Sequence, residues 1–291
     1  MAVIPQVMMK LALYEAYDGA LFGNQRYITM LSRYFSGIPD AEFQVYLPSK
    51  RELFSALTKD GACPLVAAKR GHLHVVLWLF RLLGDLGPDV ILSNNQKSLL
   101  TILPAALLRR IPIVWYIKDS SSFLLADILC FLFAKRVLVI SRESFLGKNR
   151  LLRKIFNNKV YVLPIGIYTS RFTGLSEPKA DPGGIHVLMV SSLVERKGVH
   201  IALDAMARLS ENQAKIHLTI IGSTDGSRGE YVNGVRKQAQ DLSNVTILNW
   251  SDNIPSILAQ CDIVILPSFS EGNHALSLRQ WRLAVPLLPL V

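Results

Sequence analysis

Val187 to Gly198 reads VLMVSSLVERKG, and Cys261 to His274 reads CDIVILPSFSEGNH. Each opens on a short run of Val, Leu, Met or Ile and leaves it through Ser, Pro or Gly, so each is read as a strand that ends in a loop. The first loop is basic and closes on Gly198; the second carries a carboxylate, Glu271, followed by Gly272. In open α/β sheets ligands bind in loops at the carboxyl ends of parallel strands, which makes these two loops candidates for one site.

The same alternation extends outward in both directions. Further strands are expected at Glu42 to Leu47, Asp89 to Leu92, Ile113 to Ile117, Arg136 to Ile140, Val160 to Pro164, Ile185 to Val190, Ile216 to Ile221, Val245 to Leu248 and Ile263 to Leu266. Helical periodicity lies between them at Gln25 to Phe35, Lys97 to Leu108, Phe123 to Phe133, Val199 to Leu209, Tyr231 to Leu242 and Ile254 to Gln260. The strands are continuous apolar runs rather than alternating ones, as in a parallel sheet covered on both faces. The fold class is therefore α/β with repeated βα units. TGLSEPKADPGG, at Thr173 to Gly184, is polar and rich in Pro and Gly, and reads as a linker. It divides the chain into a domain at 1–172, the linker at 173–184 and a domain at 185–291. Ligands of such proteins commonly bind in the cleft between domains.

Half of the 291 residues are hydrophobic, enough for a sizeable core, and the net charge of +10 is compatible with phosphate-bearing partners or with mere surface solubility. Nucleic-acid binding is disfavoured because no basic run is interleaved with aromatics. Cys63, Cys130 and Cys261 are widely spaced, which argues against a zinc site or a disulfide framework and for a reduced, cytoplasmic setting. No signal peptide is read at the N-terminus. The apolar runs VVLWLFRLL (Val75 to Leu83) and FLLADILCFLFA (Phe123 to Ala134) are too short for the roughly 20 residues of a membrane span. They read as buried helices or as helices lying on a bilayer.

Several motifs together resemble glycosyltransferases of the GT-B fold, group 1 or family 4 type. They are VSSLVERKGVHIALDAMARL (Val190 to Leu209), IHLTIIGS (Ile216 to Ser223), NVTILNWSDNIPSIL (Asn244 to Leu258) and CDIVILPSFSEGN (Cys261 to Asn273). GNQRYITMLSRY, DVILSNNQKSLL, IPIVWYIKD, VLVISRES and VYVLPIGIYTSRF match more loosely in the N-terminal half. The resemblance implies two Rossmann-like domains, the N-terminal one on the acceptor side and the C-terminal one binding a nucleotide sugar. It also implies retaining transfer of a sugar from a nucleotide-diphosphate donor to a hydroxyl acceptor, in cell-surface polysaccharide or lipopolysaccharide assembly.

Chemistry gives these residues matching tasks. Lys197, beside Arg196 and before Gly198, brings a cation and a helix N-terminus to the charge developing on a diphosphate leaving group, while glycine allows close backbone approach. Glu271 can accept hydrogen bonds from sugar hydroxyls, and the amides after Gly272, at Asn273, His274 and Ala275, can donate them. Glu271 is equally a favourable acid for a helix N-terminus, and His274 can be a surface residue. Gly19 and Gly23 resemble the family's donor-facing glycine loop, though taken alone they read as turns. Tyr116, Lys118 and Asp119 are assigned to the acceptor side. No DxD motif is present, so no metal or other cofactor is expected.

The departures are specific. Ser192 stands where relatives usually carry Arg, Tyr116 where a His often follows the Trp, and Arg279 where a second Glu binds the donor ribose. RQWRLAVPLLPLV, from Arg279 to Val291, has no family counterpart. Codons exist for Leu278 onward whose shifted frame reads AAMAVGRAIVATG, like the family's next helix and strand. The expectation is a frameshift near Leu278 that leaves the C-terminal domain incomplete, one side of its sheet with unpaired edge groups, and activity doubtful. Two functions follow: a transferase using a glycan or lipid-linked acceptor, cytoplasmic with peripheral contact to an anionic membrane, or a non-catalytic nucleotide-sugar-binding protein or inactive fragment.

Overall fold

A computed structural model describes residues 8–19, 23–68, 71–118, 123–166, 184–211, 215–224, 227–251, 253–269 and the strand at 287–289. The chain forms two compact units, Met1–Ile165 and Gly166–Val291.

In the first unit the described elements are β1 (Met9–Tyr14), α1 (Gly23–Phe35), β2 (Ala41–Leu47), α2 (Glu52–Lys59), β3 (Leu65–Val66), α3 (His72–Leu86), β4 (Val90–Ser93), α4 (Gln96–Arg109), β5 (Ile113–Ile117), α5 (Leu124–Phe133), β6 (Ala134–Val139), α6 (Arg142–Leu146), α7 (Arg150–Phe156) and β7 (Val160–Val162). The strands form one sheet in the order β3-β2-β1-β4-β5-β6-β7, and every pairing is parallel. Helices cover both faces, as the unbroken apolar strands predict. Ile91, Trp115, Val137 and Phe131 pack on one side, and Leu13, Val45, Leu47, Leu53 and Leu57 on the other. Phe131 anchors the first layer, edge-on to Trp115 at 5.1 Å and stacked on Phe156 at 5.4 Å.

The second unit holds β8 (Ile185–Val190), α8 (Val199–Glu211), β9 (Ile216–Gly222), α9 (Gly229–Gln240), β10 (Val245–Asn249), α10 (Ile254–Leu258), β11 (Ile263–Leu266) and β12 (Leu287–Pro289). Its parallel sheet runs β10-β9-β8-β11-β12. Neighbouring residues of β8 divide between its two cores: Met189 joins Leu203, Ile220 and Val235, while Leu188 joins Ile221, Leu258 and Val264.

The tail departs from the sequence-based expectation. Leu287–Pro289 pairs with β11, Val264 opposite Leu287 and Leu266 opposite Pro289, so the outer edge of β11 is not left open. A proline, which lacks an N–H, is tolerated there because β12 is itself the edge strand. The linker at 173–183 and the stretch at 270–286 lie outside the described residues.

In both sheets the strand order reverses direction at one place, between β1 and β4 in the first unit and between β8 and β11 in the second. Loops leaving adjacent strands at such a point diverge and open a crevice at their carboxyl ends.

Candidate functional site

The crevice of the second unit is built by the loops that follow β8 and β11. Val187 lies opposite Ile263 and Leu188 opposite Val264, so β8 and β11 release their chains side by side. Beyond Val190, the Ser191 carbonyl passes over Gly222, where a Cβ would overlap its oxygen. A short 3-10 turn at Glu195–Lys197 follows, and then Gly198 at φ 67°. Gly198 is required twice: its backbone is left-handed, and a Cβ would collide with the Pro267 carbonyl. The loops are also tied directly, since the Phe269 N–H donates to the Arg196 carbonyl at 2.9 Å. Phe269 stacks over His200 with 6.1 Å between centroids.

This junction puts Lys197, half-buried, one residue ahead of the 13-residue helix α8, with Gly198 between. The Tyr231 hydroxyl lies near the α8 N-terminus, 3.0 Å from His200 Nδ1 and close to the Val199 and His200 amides. Burial is the largest influence on Tyr231 and raises its pKa, against those two amides. Ser192 is half-buried, and its carbonyl accepts from Ser191 Oγ at 3.0 Å and from the Val194 N–H at 2.8 Å. Ser268, next to Phe269, buries a hydroxyl with no hydrogen-bond partner. Glu271, Gly272, Asn273, His274 and Ala275 lie outside the described residues.

The crevice of the first unit collects polar residues that sequence reasoning missed. Glu15, just past β1, is fully buried; its Oε1 accepts from the Tyr17 N–H at 3.0 Å, Asn95 Nδ2 at 2.8 Å and Ser98 Oγ at 3.3 Å. Its Oε2 has no hydrogen-bond partner. Burial pushes the Glu15 carboxyl above its ordinary pKa, opposed by those hydrogen bonds and by the charge of Lys118. Asn94, just past β4, is 3% exposed, yet neither atom of its amide is hydrogen-bonded. It lines a cavity of about 520 Å³ with Gln96, Lys97, Trp115, Tyr116 and Lys118 among the other walls. An unpaired buried amide costs on the order of 1–3 kcal/mol, so a site that keeps one is prepared for a ligand group.

Tyr116 and Lys118 are brought together here. Tyr116 is fully buried and its hydroxyl donates to the Leu163 carbonyl at 2.5 Å, so that hydroxyl is already engaged. Lys118 Nζ sits 3.8 Å from the Tyr27 ring centroid and 5.1 Å from that of Tyr116, a cation held over two aromatic faces. Asp119 lies outside the described residues. Gly23 starts α1 with open space around it, and Gly19 has room for a Cβ, so neither position demands glycine sterically. Behind the cavity, Lys148 and Asp127 form a buried ion pair at 3.2 Å, and Gln96 donates to the same carboxylate. Among the described residues no cluster of three His, Cys, Asp or Glu side chains is placed to hold a metal ion.

Glu15 and Asn95 are 80 residues apart in sequence and meet only because β1 and β4 are neighbours. The available signal was positional: Glu15 follows an apolar run directly, and Asn95 lies three residues past the end of one.

Comparison with known proteins agrees with this geometry. Residues 176–273 match the family described as glycosyl transferases group 1. LpsE of Rhizobium meliloti (strain 1021), a lipopolysaccharide core biosynthesis glycosyltransferase, is 28% identical over 155 residues, which cover 52% of this chain and 41% of LpsE. A D-inositol 3-phosphate glycosyltransferase of Pseudarthrobacter chlorophenolicus is 26% identical over 144 residues, 45% of this chain and 34% of that protein. The matched region thus spans less than half the length of either relative. Among solved structures, Anabaena HepE in complex with UDP-glucose superposes with a TM-score of 0.79 at 20% identity, over 97% of this chain and 80% of that one. The apo form of the lipopolysaccharide outer core galactosyltransferase WaaB gives 0.71 at 16% identity, over 97% and 80%. The chain thus resembles the glycosyl transferases group 1 through residues 176–273, and shares with these solved structures a fold of two α/β units, each built on a parallel sheet.

Proposed function

We propose that this chain is a retaining glycosyltransferase that moves a sugar from a nucleotide-diphosphate donor to a hydroxyl of a glycan or lipid-linked acceptor, in cell-surface polysaccharide or lipopolysaccharide assembly. The observation that carries this reading is the junction of the loops after β8 and β11, which sets Gly198 against Pro267 and ties Arg196 to Phe269, with Lys197 between them in the chain, at the switch point of the sheet. In the reaction the bond between the sugar anomeric carbon and the diphosphate breaks, a bond to the acceptor oxygen forms, and the acceptor proton leaves toward the released nucleoside diphosphate. Lys197, with Arg196 beside it, holds the diphosphate and offsets its developing charge. Glu271 and the amides of Gly272, Asn273, His274 and Ala275 hold the donor sugar, with Ser192 bordering the donor. Tyr116, Lys118 and Asp119 border the acceptor. No metal takes part; side chains and the α8 dipole do that work. The UDP-glucose bound by HepE supports a nucleotide sugar as the donor.

Ser192 favours a second reading, a nucleotide-sugar-binding protein without turnover, because a cation that relatives place there is replaced by a hydroxyl. A panel of UDP-, GDP- and ADP-sugars, followed for transfer and hydrolysis by nucleotide release and for binding by calorimetry, separates the two. Turnover of one donor supports the transferase, binding without turnover the second reading, and no binding to any donor sinks both.

The acceptor half has its own expected result. Asn94→Ala removes an amide with no protein partner, so its urea midpoint should stay within about 1 kcal/mol of the parent, whereas KM for the acceptor should rise roughly 5- to 10-fold. An unchanged acceptor KM together with lost stability would make Asn94 a structural residue.

Among the described residues no helix is long and apolar enough to cross a membrane. Use of a lipid-linked acceptor then calls for peripheral contact with an anionic membrane face, which is part of the proposal.

A further inference from the structure

Helix α5 has no polar residue on its outer face. Its exposed side chains are Leu124, Leu125, Leu129, Leu132 and Phe133, ranging from 40% exposed at Leu129 to 79% at Leu125. Its single charged residue, Asp127, points inward to the buried pair with Lys148. A helix at a water-facing surface normally turns polar side chains outward, and one that is apolar all round is covered by something.

The surroundings identify the chemistry of the cover. At the α5 C-terminus, Lys159 Nζ donates to the carbonyls of Phe131, Leu132 and Ala134 at 3.1, 3.4 and 3.2 Å. Lys135 and Arg136, both exposed, follow directly in the chain and act electrostatically on Lys159. Beside α5 packs α7, whose exposed residues form two adjacent rows, apolar Leu151 and Ile155 and basic Arg150 and Lys154. From Phe123 to Leu163 the chain has eight Lys or Arg against two Asp or Glu, so this stretch carries six of the ten net positive charges. One of its two acids is the buried Asp127.

We propose that the outer face of α5, with the Leu151/Ile155 row of α7, lies in the interface of an anionic bilayer while Lys135, Arg136, Arg150 and Lys154 meet lipid phosphates. An apolar face bordered by cations is what the headgroup boundary selects: the side chains enter the acyl edge and the cations remain among the anions. The other end of the helix connects this surface to the acceptor crevice, because Phe123 and Ala126 wall the cavity that holds Asn94. A lipid-anchored acceptor would reach that cavity from the plane of the membrane; this link to catalysis rests on the transferase reading, whereas the surface itself does not.

The test needs neither donor nor acceptor, so its failure is separable from failure of the transferase. The full chain is sedimented with vesicles of pure phosphatidylcholine and of equal parts phosphatidylcholine and phosphatidylglycerol. Binding is expected to the anionic vesicles, weakening as salt is raised. Removing about a factor of five per basic residue, Lys135→Ala with Arg136→Ala should weaken partitioning roughly 25- to 30-fold. Leu125→Ser, Leu129→Ser and Leu132→Ser together should abolish it. All three leucines are exposed, so each variant should keep the parent urea midpoint. Equal binding to both vesicle types, unchanged binding by the variants, or a dimer in analytical ultracentrifugation that the leucine variant dissolves would each overturn the proposal, the last by making a second copy the cover.

Discussion

Replacing Lys197 by Ala should lower kcat/KM for the donor by about 10²- to 10³-fold, equivalent to roughly 3–4 kcal/mol of lost transition-state stabilisation. The reason lies in when the charge appears. The diphosphate is anionic in the ground state, but the leaving oxygen gains further charge only as the glycosidic bond breaks. A cation placed at that oxygen therefore binds the transition state more strongly than the donor, and its removal is felt in kcat more than in KM. Lys197 has few substitutes. The nearest alternative side chain that relatives supply as a cation, at position 192, is Ser here. Lys197→Arg should recover part of the rate, because charge is kept while the geometry of the head group changes. The urea midpoint should hardly move in either variant, since the side chain is only half-buried on a surface turn. Donor turnover that continues unchanged in Lys197→Ala would remove this residue from the mechanism.

How much of this was legible in the sequence depends on which force sets each feature. Ile113–Ile117, Ile185–Val190 and Ile263–Leu266 were read to the residue, because each is a β-branched run cut off at both ends by polar or turn-forming neighbours. β1 was not read: Lys10 and Ala12 weaken its strand signal, and what makes it a strand is pairing on both edges with β2 and β4. β12 escaped for a related reason, as a proline-containing tripeptide acquires strand character only against β11. The site divides the same way. That the two loops of the second unit meet follows from parallel strands alone, and the contact of Gly198 with Pro267 realises it. Glu15, Asn94 and Asn95 were passed over because a polar residue after an apolar run ordinarily begins a turn. Their convergence is a property of strand order, which local periodicity does not encode.

Lys148→Met should destabilise the first unit by about 3–5 kcal/mol, because it strands the Asp127 carboxylate in the interior. The side chains of Asp127 and Lys148 are 0% and 2% exposed, so water cannot replace the lost partner. Gln96 still donates to the carboxylate, but a neutral amide does not offset a full charge. Against a typical domain stability of about 5–15 kcal/mol, and a urea slope of roughly 1–3 kcal/mol per molar, the midpoint should fall by about 1–5 M. Replacing both residues, Asp127→Leu with Lys148→Met, removes the charges together and should cost much less, within roughly 1–2 kcal/mol of the parent. The Met side chain still spans the place beside Trp115, where Lys148 Nζ now lies 5.7 Å from the ring centroid. The double-mutant cycle thus separates the cost of an isolated buried charge from the value of the pair. If the single and double variants lose the same stability, the pair is acting as packing and not as electrostatics.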